Sequence, residues 1–414
     1  MATVLVIGTM DTKGPESNYL AERIRDAGCQ ALLLDSGILG EAEGCKPDFT
    51  RQQVAVASGH TIDQLRNAGS RGKAVEEMLK GVRKITRELY DAGKIHGIIS
   101  LGGAEGGVLA AAAMKVLPIG IPKIIVSPIA SGRRPFGPFI GTKDIFVMHS
   151  VVDILGLNAV ARAVFDSASA CVAGGAIAYE KSQKAGKKPE TKKQIAATML
   201  GNTTRPLMWI KKQIEPLGCD LVIFHANGVG GPAMEELIDQ GLLHGVIDYT
   251  LSEVIGEIGG GFHMGGPTRM DAAGKHGLPQ LIVPGSIDFM VFGRKETIPE
   301  NLRSRPSHYH NPEFTLVRAS KEEQLEAARV VCRKLNASKG KVIVIVPTQG
   351  LSIPNFSKDG KTGEFWDPEI DAAFRAELKN GLSKEIQYQE VDAHVNDESF
   401  AKVVHDAAVK LFLS

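Results

Sequence analysis

Residues 4–16 read VLVIGTMDTKGPE. Val4, Leu5, Val6 and Ile7 form an apolar run with no polar alternation, the pattern of a parallel strand buried on both faces. Gly8 ends the run, and Thr9, Asp11, Thr12, Lys13 and Gly14 make a short polar turn. Pro15 suits the first position of a helix, where a missing N–H costs nothing, and Glu16 suits the first turn. The order is strand, glycine-bearing turn, helix N-terminus. It gathers free backbone N–H groups, two hydroxyls and an ammonium at one point, which suits an anionic oxygen such as phosphate. The pattern is neither a Walker A loop nor G-x-G-x-x-G, and the same residues also describe an ordinary strand-to-helix turn.

Working outward, residues 19–27 read as a helix stopped by Gly28, and residues 31–34 as a second strand ending in Asp35. An acid at that place can bond a ribose hydroxyl. Residues 36–60 read as irregular and residues 61–92 as mostly helical, broken near Gly69 or Gly72; Arg71 and Lys73 are either solvated or within reach of an anion. The strand at 97–101 runs into Gly102, Gly103, Ala104, Glu105, Gly106 and Gly107 and then an alanine-rich helix, a second glycine turn feeding a helix N-terminus. Glycine there admits positive φ and close ligand approach. A strand at 122–126 leads to Ser131, Gly132, Arg133 and Arg134, and then to Gly141, Thr142, Lys143 and Asp144. Polar or glycine-rich turns beside successive strands predict a ligand-binding first domain, with ligands at the carboxyl edge of the sheet.

Residues 180–194, EKSQKAGKKPETKKQ, are basic but carry no aromatic residues for base stacking, so they read as an exposed linker and not a nucleic-acid patch. The domains are then 1–180 and 195–414, with a basic linker at 181–194. The second half opens as the first does, with a strand at 195–200 and the turn Gly201-Asn202-Thr203-Thr204-Arg205-Pro206. Residues 221–224 lead into His225-Ala226-Asn227-Gly228-Val229-Gly230-Gly231, in parallel with the Gly102 turn, and residues 277–284 echo 120–127. The fold class is therefore α/β: two doubly wound, mostly parallel-sheet domains, whose echoes suggest an internal duplication. Asn202, His225, Asn227, Gly228 and His263 are candidates for a second site. His225, His263, His308 and His310 are either converging acid/base or metal groups or structural loop histidines. Residues 352–366 resemble a surface loop able to cover a cleft.

Composition narrows the function. The 414 residues exceed what one core serves, and 43% hydrophobic with 23% charged is ordinary for a soluble protein. A net charge of +1 provides no global field to hold nucleic acid or an acidic membrane. The five cysteines are scattered without C-x-x-C, as in a reduced cytoplasmic protein. The N-terminus runs into a strand without a signal peptide's regions. The apolar stretch 145–178 is interrupted by His149, Asp153, Arg162 and Asp166, which argues against a membrane span.

Seven motifs carry a resemblance: Gly8-Thr9-Met10-Asp11-Thr12-Lys13-Gly14, Ser100-Leu101-Gly102-Gly103, Pro122-Lys123, Ala130-Ser131-Gly132, Gly141-Thr142-Lys143-Asp144-Ile145, Gly228-Val229-Gly230-Gly231 and His310-Asn311-Pro312. They run across nearly the whole chain. The chain resembles the family of the ATP-binding amino-terminal domain of the plant protein that confers resistance to tomato mosaic virus, with bacterial and fungal relatives. The resemblance implies two α/β domains, ATP bound with Mg²⁺, and a homodimer. It points to Gly8, Thr9, Asp11, Thr12, Lys13, Gly102, Gly103, Glu105, Gly106, Gly107, Ser131, Gly132, Thr142 and Asp144 as the nucleotide site. The chain departs from the family's Gly-Gly-Ser-Gly-Gly-Thr turn at Ala104, Glu105 and Gly107. A carboxylate beside a phosphate repels it unless a cation intervenes, so Glu105 is the expected Mg²⁺ ligand. Two functions follow from this reading. One is an ATP-binding protein with a regulatory or interaction role. The other is an enzyme acting on a small phosphorylated or carboxylate substrate in a cleft between the domains.

Overall fold

The opening run is a strand inside a parallel sheet. β1 (Thr3–Gly8) pairs with β2 (Gln30–Asp35) on one side and β3 (Gly97–Leu101) on the other, followed by β4 (Lys123–Ser127) and β5 (Phe146–His149). The spatial order β2-β1-β3-β4-β5 reverses direction beside β1. The helices between them are α1 (Met10–Asp26), α2 (Arg51–Ala57), α3 (Ile62–Arg66), α4 (Arg71–Asp91), α5 (Ala104–Lys115), α6 (Gly137–Ile140) and α7 (Ala159–Lys184). The structure, a computed structural model, describes residues 1–130, 137–186 and 192–413. Two units divide the chain, Met1–Pro189 and Glu190–Ser414.

The unbroken apolar run of β1 is explained by burial on both faces. Val4 and Val6 pack with Leu20 and Ile24 of α1 and Phe165 and Val172 of α7. Leu5 and Ile7 pack on the opposite face with Met78 and Val82 of α4 and Leu109 and Met114 of α5. α7 has the length and apolarity to cross a membrane; in this fold its Ala161, Ala168, Val172 and Ala176 are buried in the first of these cores, with Val4 and Val6.

The second unit repeats the plan. Its sheet is all parallel: β6 (Lys193–Met199), β7 (Cys219–His225), β8 (Gly245–Thr250), β9 (Gln280–Gly285), β13 (Val342–Pro347) and β16 (Gln387–Val391). An antiparallel sheet of β10 (Phe289–Phe292), β11 (Ser307–Asn311) and β12 (Phe314–Arg318) is inserted after β9, and β14 (Ser357–Lys358) and β15 (Lys361–Thr362) form a small hairpin. The helices are α8 (Thr204–Ile214), α9 (Gly230–Asp239), α10 (Ser252–Gly259), α11 (Ala272–Lys275), α12 (Lys321–Asn336), α13 (Pro368–Gly381) and α14 (Glu398–Phe412). α8 and α14 cover one face, and α10, α12 and α13 the other. The order β16-β13-β9-β8-β6-β7 again reverses beside the unit's first strand. The strand next to β6 on the outer side is β7, the counterpart by position of β2. The Asn227–Gly231 turn therefore answers to the loop after β2, and the parallel drawn with the Gly102 turn does not hold.

Local chemistry accounts for the differences from the sequence reading. α1 begins at Met10, ahead of Pro15, because Met10 N–H finds Asp35 Oδ1 at 3.0 Å. The backbone kinks at Lys13 (φ −129°, ψ 22°), so Pro15 opens the regular part of the helix, where it needs no donor. α2 emerges from the stretch read as irregular, closed by a capping box between Thr50 and Gln53. The helical stretch after it breaks at Gly69, which takes φ +81°.

Gly81 of α4 meets α2 closely; a Cβ there would lie 2.0 Å from the Val54 carbonyl oxygen. Helix propensity alone makes Gly81→Ala a gain of about 1 kcal/mol. Overpacking decides the sign instead: the substitution destabilises by about 1–3 kcal/mol, measured by urea unfolding.

Candidate functional site

The turns after β1, β2 and β3 come together at the carboxyl edge of the first sheet, where its strand order reverses. A crevice at such a point is where ligands bind in doubly wound sheets. Here it is a pocket of about 410 Å³. Thr9, Asp11 and Thr12 line it from the start of α1, and Gly103, Glu105 and Gly106 from the start of α5. Gly37, Ile38 and Leu39 contribute the loop after β2, and Leu65, Arg66, Ser70, Arg71 and Ala74 the ends of α3 and α4.

Each wall has a physical reason. Gly102 makes the turn before α5 tight, since a Cβ would come 2.8 Å from Gly106 Cα. Gly103 caps α5 without a side-chain hydrogen bond, so the first N–H groups of the helix have no side-chain acceptor at the cap. Thr9 and Thr12 hydroxyls lie 3.3 Å apart. Arg66 donates to the Ile38 and Leu39 carbonyls at 3.1 and 2.6 Å, fixing the apolar wall. Arg71 reaches across to Glu105 at 2.7 Å. Asp11 accepts from Gly40 N–H at 3.0 Å. Two acids and two bases thus share the pocket.

The remaining first-domain candidates fall elsewhere. Lys13 occupies the kink of α1 and does not line the pocket. Asp35 is buried, accepts from Met10 and Gly37 N–H, and is held above the ordinary carboxylate range chiefly by burial, against those two hydrogen bonds. It anchors α1 and the β2 loop and offers no free oxygen on Oδ1. Gly8 is required because a Cβ would sit 2.6 Å from Ser17 Oγ, and Gly107 because it would sit 2.9 Å from the Phe139 ring. Thr142 and Asp144 precede β5, at the amino edge of the sheet. Asp144 binds the fully buried Lys123 at 2.6 Å and Gly120 N–H at 2.8 Å, on the side away from the pocket. Burial lowers the Lys123 pKa, and Asp144 offsets part of that shift. Ser131 and Gly132 lie outside the described residues.

In the second unit, the glycine turn after β7 is an anion cradle already filled from within. Gly228 and Gly231 N–H groups donate to Glu253 Oε1 at 2.8 and 3.0 Å. A Cβ on Gly231 would stand 1.8 Å from the same carboxylate, which explains the glycine without any ligand. Arg269, 2% exposed, closes this network: it binds Asp248 through two nitrogens at 2.7 Å each, Glu253 at 2.8 Å and Glu235 at 3.5 Å. Burial works against its charge, and the three carboxylates outweigh burial and raise its pKa. Glu235 is raised, first by burial, while accepting from Met270 and Ala272 N–H. Asn227 accepts from Val229 N–H at 3.3 Å, a local turn bond.

Of the four loop histidines, His263 is pushed down to about 4, first by burial and then by His225 and His310. His308 instead lies 3.2 Å from Glu364. Among the described residues no group of three or more His, Cys, Asp or Glu could hold a metal ion.

Together the fold and pocket define a class, an α/β protein with two parallel, doubly wound sheets and a polar crevice at the reversal point of the first. More particularly, the chain belongs to the family described as Uncharacterised protein family (UPF0261), whose N-terminal domain matches residues 2–181 and whose C-terminal domain matches residues 192–412. A UPF0261 protein of Clostridium tetani is 37% identical over 402 residues, covering 96% of both chains. One of Brucella suis is 34% identical, covering 96% of this chain and 93% of its own. The ToMV resistance protein Tm-1 of Solanum lycopersicum is 33% identical over 425 residues, covering 99% of this chain and 55% of that protein. The chain thus spans about half the length of the tomato protein. A thioesterase domain from the curacin biosynthetic pathway aligns with a TM-score of 0.27 at 9% identity, over 55% of this chain and 92% of its own, too slight a likeness to carry an argument.

Arg269→Leu leaves three buried carboxylates facing one another and costs about 3–5 kcal/mol of stability by denaturant unfolding. His263 supplies a pH test. A histidine normally titrates near 6.5, and this one is held to about 4. Its contribution is therefore complete above the unfolded value and drains away as pH falls from there towards 4. His263→Gln flattens the decline of the melting temperature across that window; an unchanged slope contradicts the assignment.

Proposed function

We propose that this protein binds a nucleotide, ATP with Mg²⁺, in the crevice at the reversal point of its first sheet. The observation that carries this reading is the uncapped α5 N-terminus opening into the same pocket as the Thr9 and Thr12 hydroxyls and Arg71. Backbone N–H groups at a helix start, hydroxyls and a guanidinium are what a polyphosphate requires. Ile38, Leu39, Leu65 and Ala74 give an apolar wall for a base.

The residues present fit the metal as well. Mg²⁺ with a nucleotide is held by one or two carboxylates plus phosphate oxygens, and Asp11 and Glu105 are the two carboxylates in the pocket. The cation would neutralise phosphate charge that these acids otherwise repel. Arg71 exchanges its Glu105 partner for a phosphate when nucleotide enters, which leaves Glu105 for the metal. Membership of the family that includes the tomato resistance protein supports a regulatory or interaction role for this binding.

Titration calorimetry with ATP tests the reading. Arg71→Gln weakens binding about tenfold with or without Mg²⁺, as expected for a charge-assisted bond. Glu105→Gln weakens it only when Mg²⁺ is present and strengthens metal-free binding by releasing Arg71. Equal effects of Glu105→Gln in both conditions contradict the metal role, and an unchanged affinity in Arg71→Gln contradicts the site.

A further inference from the structure

We propose that the second unit holds a binding site of its own for a small organic anion with an apolar body. It is a pocket of about 490 Å³ at the carboxyl edge of the second sheet, walled by the turns after β6, β13 and β16 and by the segment leading into the β14–β15 hairpin.

Two cations face this pocket, Arg205 from the first turn of α8 and Lys358 from the hairpin. Neither side chain makes an ion pair or hydrogen bond among the described residues. Both are exposed, whereas the unit's buried arginines, Arg269 and Arg318, are satisfied by carboxylates at 2.7 Å. Among the described residues Asp397 is the only acid lining it, and its Oδ2 is committed to His394 N–H at 2.9 Å. The lining is therefore net positive by one charge. Ile353 and Phe356 supply the apolar wall. Open acceptors include the second oxygen of Asp397, the side-chain oxygen of Gln349, whose amide nitrogen is spent on Asp392, and the side-chain oxygen of Asn396, whose amide nitrogen is spent on the Asn202 carbonyl at 2.9 Å. An anionic head, an apolar body and one hydroxyl or amino donor match that set.

The pocket is also built to keep its shape. Asn202, 6% exposed, accepts from Ile353 N–H at 3.2 Å and so ties the β6 turn to the apolar wall. Ser352 and Asn355 side chains reach the buried Asp288 at 2.7 and 3.0 Å, and Asn355 also reaches Asp371 at 2.9 Å. His394 Nδ1 accepts from Asn396 N–H at 3.1 Å, so its Nε2 carries the proton and donates to the Ser352 and Asn355 carbonyls at 2.9 and 3.2 Å. His394 thus braces the wall and is not free for acid/base work. Gly350 takes φ +127°, and a Cβ there would lie 1.8 Å from the Asn355 carbonyl, so the wall closes directly over the turn after β13. A loop fixed by this many buried bonds is preorganised, which lowers the entropy cost of binding.

Titration of the full chain with 3-phenyllactate, phenyl phosphate and inorganic phosphate tests the proposal. It predicts that at least one of the two organic anions binds, the tighter naming the head group, and that inorganic phosphate binds at least about tenfold more weakly for want of an apolar body. Arg205→Gln and Lys358→Gln each weaken binding about tenfold, and both side chains being free, the melting temperature stays within about 2 °C of wild type. Arg71→Gln in the first unit leaves these affinities unchanged, which separates this site from the nucleotide pocket. Failure of both organic anions to bind, equal binding of inorganic phosphate, indifference to Arg205→Gln and Lys358→Gln together, or one-for-one competition by ATP each overturns the proposal.

Discussion

The constraint on which this protein depends is the reversal of strand order beside the first strand of a parallel sheet. Successive crossovers of one hand carry the chain to one side of β1 for β2 and to the other for β3. The loops leaving β1 and β3 then diverge and leave a crevice between them, bounded by two helix starts. Thr9, Asp11, Thr12 and Glu105 of the first pocket are placed by that geometry. The β2 loop is held over it by Asp35 and Arg66, and the floor by Gly102 and Gly106. The same reversal recurs between β8 and β6 in the second unit.

The two units put similar turns to different uses. A run of glycines at a helix start presents N–H groups that attract negative charge wherever it comes from. After β7 the charge comes from Glu253, itself fully buried and locked by Arg269. That arrangement is strong but closed, because removing either partner strands a charge in a low-dielectric interior. At α5 the turn faces an open pocket, and the acid nearest to it, Glu105, is drawn off by the exposed Arg71. An exposed pair of that kind is worth little and exchanges readily. The difference between a filled cradle and an open one lies in the burial of the carboxylate, not in the glycine pattern.

Sequence patterns conveyed the strands well because parallel strands buried on both faces read as unbroken apolar runs, as in Val4–Ile7 and Val342–Val346. They conveyed Thr9, Thr12, Gly103 and Glu105 because each follows such a run. Arg66, Ile38 and Leu39 were hidden, since they enter the pocket from a loop and a short helix with no periodic signal. Asp144 follows a polar turn like the others, yet that turn precedes its strand, and so it sits at the opposite edge beside Lys123. Gly228 and Gly231 misled for the reason given above: the filling carboxylate lies 22 and more residues further on, and no local pattern announces it. The inserted antiparallel sheet was also illegible, its strands being four or five residues long and one of them, β11, partly exposed.

Hydrogen exchange followed by mass spectrometry, on the full chain with and without saturating ATP and Mg²⁺, tests the central claim most directly. The account predicts slowed exchange in peptides covering residues 9–12, 37–39, 66–74 and 103–106, with residues 227–231 unchanged because their N–H groups are already bonded to Glu253. Protection confined to residues 227–231, or no protection in the first unit at all, would contradict it.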